Sequence, residues 1–188
     1  MSIIKISVIT ITYNAENVIM RTLDSVLKQT FSNIEHIIID GASKDSTLLA
    51  EREYESRSCS TNNGHEIKII SEPDKGLYDA MNKGIGKATG NYLVFLNAGD
   101  VFPSSSTLET VADMIGDGEE LPGVLFGDTN IVDDNGNFLR HRRLSPPAHL
   151  NWRSFMFGML VCHQAFYART DIAKRNYYDL HYKLSADI

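Results

Sequence analysis

From Ile3 to Thr12 the chain is almost unbroken in apolar and β-branched residues. Such a run suits a strand covered on both faces, as in a parallel sheet. Tyr13-Asn14 ends it, and Asn14 is a predicted helix N-cap. Ile19, Leu23, Val26 and Leu27 then fall at i, i+4, i+7 and i+8, one face of a helix. Ile34 to Ile39 predicts a second buried strand, which ends in the polar turn Asp40-Gly41-Ala42-Ser43-Lys44-Asp45-Ser46-Thr47. A helix from about Ser46 to Arg57 is expected next, with Ser58 to His65 as a loop and Ile67 to Ile70 as a third strand. Strand and helix alternating at this spacing is the pattern of right-handed βαβ units, so the first half reads as α/β.

The stretch Ser71 to Asp100 organises the rest. A polar turn, Glu72 to Gly76, leads to a predicted helix from Tyr78 to Ala88, broken at Gly90. An apolar strand, Tyr92 to Leu96, opens into Asn97-Ala98-Gly99-Asp100. Ligands of open α/β sheets bind just beyond the carboxyl ends of strands. Asp100 there either holds a metal ion against a phosphate or begins a surface turn. Past it, a helix beginning at Pro103 and Ser104 to Ser106 and ending near Gly116, an acidic loop to Gly123 and a strand from Val124 to Gly127 are expected. Ile131-Val132 and Phe138-Leu139 flank Asp133-Asp134-Asn135-Gly136, a hairpin signal. The second half therefore turns towards antiparallel strands.

Composition narrows the function classes. A chain of 188 residues can bury one good-sized core, so one domain spanning 1–188 is expected. The formal net charge of -6 argues against nucleic acid as a partner. It leaves phosphate-bearing ligands open, because they bring their own cations. Cys59 and Cys162 form no spaced framework and read as free thiols of a reducing cytosol. The N-terminus does not read as a signal peptide, and no apolar run reaches membrane-spanning length. The basic run Arg140-His141-Arg142-Arg143 is either a solvated edge or a patch that steers a phosphate or a membrane surface, so a peripheral membrane contact stays open.

The turn Thr12 to Asn17 has no glycine, which disfavours a dinucleotide fold, and no phosphate-binding glycine-lysine loop occurs. Tyr13 and Asp40 end neighbouring strands at one edge. Ring and carboxylate could hold a nucleobase; the alternative is packing and a turn. Cys162-His163-Gln164 precedes a predicted strand, Ala165 to Ala168. A zinc site would need further ligands at suitable spacing, so His163 and Gln164 read as polar contacts to substrate.

Three segments in order carry a family resemblance: Ser7 to Asn14, Ile39 to Thr47, and Glu72 to Asn82 running on through Phe95 to Asp100. Together they resemble glycosyltransferase family 2, in particular bacterial enzymes of exopolysaccharide, capsule or O-antigen synthesis. The resemblance implies a GT-A fold, with a nucleotide-sugar-binding half (1–100) and an acceptor-side half (101–188). It implies that Thr12, Tyr13 and Asn14 line the nucleotide pocket and that Asp40 contacts the base, usually uracil. Asp74 and Lys75 would lie beside the nucleotide-sugar, with Asp79 and Asn82 nearby. The family's Asp-x-Asp metal motif falls at Asn97-Ala98-Gly99, where both aspartates are replaced; Asn97 stays on the donor side and Asp100 is left to hold Mg²⁺ or Mn²⁺. His163-Gln164 matches a pair on the acceptor side, and Asp187 resembles the catalytic base.

The expected reaction moves a sugar from a UDP-type donor to a hydroxyl of a saccharide or lipid-linked acceptor. With one base and no evident protein nucleophile, a single displacement with inversion follows. The expected location is the cytoplasm, with a peripheral contact to the inner membrane left open. Family members usually continue beyond the base, so the acceptor-side half reads as truncated. A second hypothesis is therefore a nucleotide-sugar-binding domain with little turnover alone. A nucleotidyltransferase is disfavoured by the missing glycine-rich basic loop.

Overall fold

A computed structural model describes residues 4–182 apart from 119, 134, 135 and 157. Asp187 lies outside the described residues. The first half alternates as β1 (Ile6–Thr12), α1 (Ile19–Leu27), β2 (Ile34–Asp40), α2 (Thr47–Thr61), β3 (Glu66–Ser71), α3 (Leu77–Lys87) and β4 (Tyr92–Phe95). The second half adds α4 (Thr107–Ile115), β5 (Val124–Phe126), β6 (Asn130–Val132), β7 (Phe138–His141), β8 (Phe166–Arg169) and the single turn α5 (Thr170–Ala173). Six strands form one sheet in the order β3-β2-β1-β4-β8-β5, while β6 and β7 pair separately. The first four strands run parallel, and β8 is antiparallel to both β4 and β5.

Every residue of β1 and β2 is buried, as their continuous apolar runs require of central parallel strands. Alternate side chains feed two layers. Ile6, Val8 and Val94 pack with Val26 of α1 and with Leu108 and Ile115 of α4. Ile38 packs with Ile19 and Leu23 of α1 and with Tyr54 of α2. Ile9, Ile37, Ile39 and Phe95 point the other way, onto Met81 and Ile85 of α3. Gly84 allows α3 this approach: a Cβ there would stand 2.4 Å from Ile9 Cγ2.

The parallel register sets Thr12 beside Asp40 and Asp40 beside Ser71, so three strand ends form one edge. The chain steps outwards from β1 to β3 and then returns to place β4 on β1's other side. That reversal opens a crevice at the carboxyl ends of β1 and β4. At the opposite edge, buried Glu35 accepts from Ser7 Oγ at 2.6 Å, Lys68 Nζ at 2.5 Å, and the Thr89 amide and hydroxyl at 2.8 and 2.6 Å. Burial alone would raise its carboxyl, but these partners prevail and lower it to about 2.

Three local expectations are corrected. Asn14 does not cap α1: it takes a left-handed conformation (φ 47°), and Val18 precedes the helix without a side-chain cap. The Asn14 Oδ1 instead accepts from the Lys44 amide at 2.9 Å, which joins the first two strand-end loops. Helix α2 continues to Thr61 and ends at Asn62 in a left-handed conformation, so much of the expected 58–65 loop is helical. His163 to Ala165 is a 3₁₀ turn ahead of β8, whereas a strand was expected to begin at Ala165.

Candidate functional site

A cavity of about 470 Å³ lies at the carboxyl edge between β1 and β4. Its wall includes Thr12, Tyr13, Asn14, Asp74, Asn97 and Ala98. The fold thus brings together six positions drawn from three separated segments. Tyr13 is 60 % exposed, with its ring available for stacking. Asp74 lies against it: a Cβ on Gly41 would stand 2.6 Å from Asp74 Oδ2 and 3.2 Å from Tyr13 Cδ2. A side chain at Gly41 would therefore displace the Asp74 carboxylate. Asp74 Oδ1 also accepts from the Gly76 amide at 2.8 Å.

Asp40 is fully buried. Its carboxylate accepts from the Ser43 amide (3.0 Å to Oδ2), the Ser43 hydroxyl and the Ser71 hydroxyl (2.6 Å). Ser43 Oγ in turn accepts from the Asn14 amide at 2.8 Å. Asp40 thereby fixes the loop beside Tyr13.

The turn after β4 is held from beneath by α1. Thr22 Oγ1 accepts from the Gly99 amide at 2.8 Å and donates to the Asp100 carbonyl at 2.8 Å. Arg21 Nε donates to the Gly99 carbonyl at 2.5 Å. A buried chain fixes the preceding residue: Tyr54 donates to His36 Nδ1 (2.7 Å), His36 Nε2–H donates to Thr10 Oγ1 (2.9 Å), and Thr10 donates to the Leu96 carbonyl (2.8 Å). The last bond uses the threonine hydrogen, which assigns the His36 tautomer. Burial, with His65 adding to it, pushes the His36 imidazole down to about 3, so the ring stays neutral.

His163 and Gln164 reach this turn from the other side. Asn97 Nδ2 donates to His163 Nε2 at 3.1 Å, and Gln164 Nε2 donates to Asp100 Oδ2 at 2.9 Å. Cys162 is separated from them, its sulfur accepting from Thr129 Oγ1 at 3.4 Å. Among the described residues six side-chain oxygens are buried without a hydrogen-bond partner; three of them, Thr12 Oγ1, Asn97 Oδ1 and Gln164 Oε1, belong to this region, and the others are both carboxylate oxygens of Glu51 and Thr170 Oγ1. Buried polar atoms are nearly always satisfied, so those beside the cleft are free to accept a hydrogen bond or a cation from a ligand. Among the described residues no three His, Cys, Asp or Glu side chains group to hold a metal. One carboxylate with neutral amide oxygens nevertheless fits a hard divalent cation that takes its remaining ligands from phosphate.

Asp79 and Asn82 are not in the cavity wall. Asp79 Oδ2 accepts from the Lys75 amide at 3.0 Å and caps the turn into α3. Asn82 makes two bonds of 2.9 Å with the Tyr178 backbone. Lys75 is exposed at the head of that turn. Sequence reasoning passed over Thr22, Arg21, Ser43 and Ser71. The available signal was a threonine at i+3 from Ile19, on the face α1 buries.

A model described as glycosyl transferase family 2 matches residues 7–175. The chain is 34% identical over 182 residues to a PGL/p-HBAD biosynthesis glycosyltransferase of Mycobacterium bovis, covering 96% of the chain and 66% of that protein. It is 31% identical over 177 residues to the amylovoran biosynthesis glycosyltransferase AmsB of Erwinia amylovora, covering 92% of the chain and 56% of AmsB. The chain thus spans less than two thirds of either relative's length. Among solved structures, TarS of S. aureus in complex with UDP-GlcNAc superposes with a TM-score of 0.71 at 23% identity, over 97% of this chain and 51% of that one. The mannosyltransferase PcManGT of Pyrobaculum calidifontis, in complex with GDP-Man and Mn²⁺, superposes with a TM-score of 0.55 at 26% identity, over 66% and 35%. The sheet with its flanking helices and small antiparallel portion is a GT-A fold.

Proposed function

The chain belongs to glycosyl transferase family 2, and from that membership we propose that it moves a sugar from a nucleoside diphosphate, most naturally UDP, to a hydroxyl of a saccharide or lipid-linked acceptor in cell-surface glycan synthesis. One observation supports this above the rest: the crevice between β1 and β4 gathers Thr12 to Asn14, Asp74 and Asn97, and two of its wall oxygens lack partners. TarS binds UDP-GlcNAc and PcManGT binds GDP-Man with Mn²⁺, which makes a nucleotide-sugar the ligand class to test.

Each residue has a physical task in this reading. The exposed Tyr13 ring packs on the base. Asp40, buried and already bonded to Ser43 and Ser71, acts by holding the Ser43 loop against that base. Asp74 stands beside the nucleotide-sugar. Asp100, Asn97 Oδ1 and Gln164 Oε1 would hold Mg²⁺ or Mn²⁺, which when bound neutralises the charge of the diphosphate leaving group. His163, hydrogen-bonded to Asn97, would serve as a polar contact on the acceptor side. Asp187 is proposed as the base that takes the acceptor proton, in a single displacement with inversion.

Calorimetric titration with UDP, GDP and dTDP, each with Mn²⁺ or EDTA, tests the donor site. The expected result is Mn²⁺-dependent UDP binding, weakened at least tenfold in Asp100→Ala. Asp40→Ala should also lose binding, and its melting temperature must be read alongside, because it leaves the Ser43 and Ser71 donors unpaired. No binding of any nucleotide overturns the proposal. Binding without turnover when acceptors are supplied would identify a donor-binding domain.

A further inference from the structure

We propose that the β6–β7 hairpin docks on an anionic lipid surface, with Phe138 and Leu139 entering the interface and Arg140 and Arg143 meeting acidic headgroups. The inference stands apart from the donor chemistry, because none of these residues lines the cleft. Strands β6 and β7 pair only with one another and lie outside the main sheet. All four residues of β7 are exposed, with Phe138 at 56% and Leu139 at 59%, and Ile131 on β6 is exposed as well. An irregularity in register between Ile131 and Val132 leaves Leu139 without a cross-strand partner. Large apolar side chains exposed on a ribbon that pairs with no larger sheet gain by entering a bilayer interface.

Charge selects the partner. The chain carries a formal net charge of -6, which by itself repels an acidic membrane. From Asn130 to Arg143 the sequence carries three arginines against two aspartates, Asp133 and Asp134, a small local excess of positive charge. At the turn Asp133 accepts from the amide and side chain of the uncharged Asn137 at 2.8 and 3.0 Å. Arg142 is also committed, donating to the carbonyls of Leu144, Met159 and Leu160 and pinning the following loop. Arg140 and Arg143 are exposed and, among the described residues, form no ion pair. Cations flanking exposed apolar residues are the signature of interfacial docking on acidic lipid. No helix among the described residues is long and apolar enough to cross a membrane, so this ribbon offers a surface contact.

Co-sedimentation with vesicles of phosphatidylcholine alone, or mixed equally with phosphatidylglycerol, tests the inference. The expected result is binding to the acidic vesicles only, weakening as salt rises. Arg140→Glu with Arg143→Glu should lower the partition coefficient by at least roughly thirtyfold, at about fivefold per arginine neutralised. Phe138→Ser with Leu139→Ser should weaken binding at low salt too. Circular dichroism and UDP titration check that each variant keeps its fold and cleft. Equal binding to both vesicle types, no binding to either, or retention by the doubly reversed variant overturns the proposal. Sedimentation without vesicles, abolished by the Phe138/Leu139 variant, would identify self-association through the ribbon and overturn it equally.

Discussion

Gly99 stands where the resemblance places the second aspartate of the Asp-x-Asp motif, and its backbone lies at φ +99°. Side chains other than glycine's rarely adopt that region. The replacement therefore belongs to a differently shaped turn, in which Thr22 and Arg21 hold the Gly99 peptide. Restoring the acid should fail for this reason. Gly99→Asp is expected to cost on the order of 1–3 kcal/mol, seen as a melting temperature several degrees lower. It should give no tighter Mn²⁺ binding; a tighter site in calorimetry would show that the turn can reshape around the family motif. At this scale the sequence was informative where a residue ends a strand. Thr12, Tyr13, Asn14, Asn97 and Asp100 follow buried apolar runs, and the sheet geometry decides what such positions face. It was silent about Thr22, whose role arises only when α1 passes beneath a turn 75 residues away.

Elements were legible where hydrophobic period and length agreed. Helix α1 begins at Ile19 and ends at Leu27, the limits its apolar face marks. Helix α2 was cut short in expectation because Ser58 to Thr61 reads as a polar loop. In the fold Ser58 is buried, and Ser60 and Thr61 donate to carbonyls three residues back. Local side-chain bonding of this kind extends a helix that composition would end. Asn82 shows a structural task that the motif does not announce. Its amide clamps the Tyr178 backbone from 96 residues away. The Tyr178 ring completes the clamp, 5.2 Å from the Tyr78 ring and 6.1 Å from that of Phe95. Asn82→Ala removes both bonds and leaves the Tyr178 amide to find another partner, a loss of roughly 1–3 kcal/mol. Hydrogen exchange should quicken at Tyr178 and its neighbours while the β1–β4 amides stay protected. Unchanged exchange at Tyr178 would show that aromatic packing alone holds the segment.

At the scale of the whole molecule, three buried titratable groups among the described residues act on how stability varies with pH. Glu51 of α2 is buried with both carboxylate oxygens unpartnered. Burial, reinforced by the charge of Asp40, pushes its carboxyl from 4.5 up to about 8. The native state therefore binds a proton that the unfolded chain releases, and stability falls as pH rises from about 4.5 to 8. His36 acts in the opposite sense. Its imidazole is pushed from 6.5 down to about 3, so the unfolded chain binds the extra proton and stability falls as pH drops through that window. Glu35, lowered from 4.5 to about 2, adds a second loss over its own acid window. Each group contributes a slope of at most about 1.4 kcal/mol per pH unit. Between about pH 4.5 and 6.5 the slopes of Glu51 and His36 oppose one another. Above 6.5 Glu51 acts without that opposition, and below 4.5 His36 and Glu35 act together. The melting temperature should therefore show a plateau at about pH 4.5–6.5 and fall on both sides, more steeply in acid. Glu51→Gln keeps the size of the side chain and removes the charge, so it should flatten the alkaline arm and leave the acid arm in place. A wild-type melting temperature that stays level from pH 6.5 to 8 would show that the Glu51 carboxyl finds a proton donor or water when charged, and that the carboxyl edge of the sheet tolerates a second negative charge near Asp40.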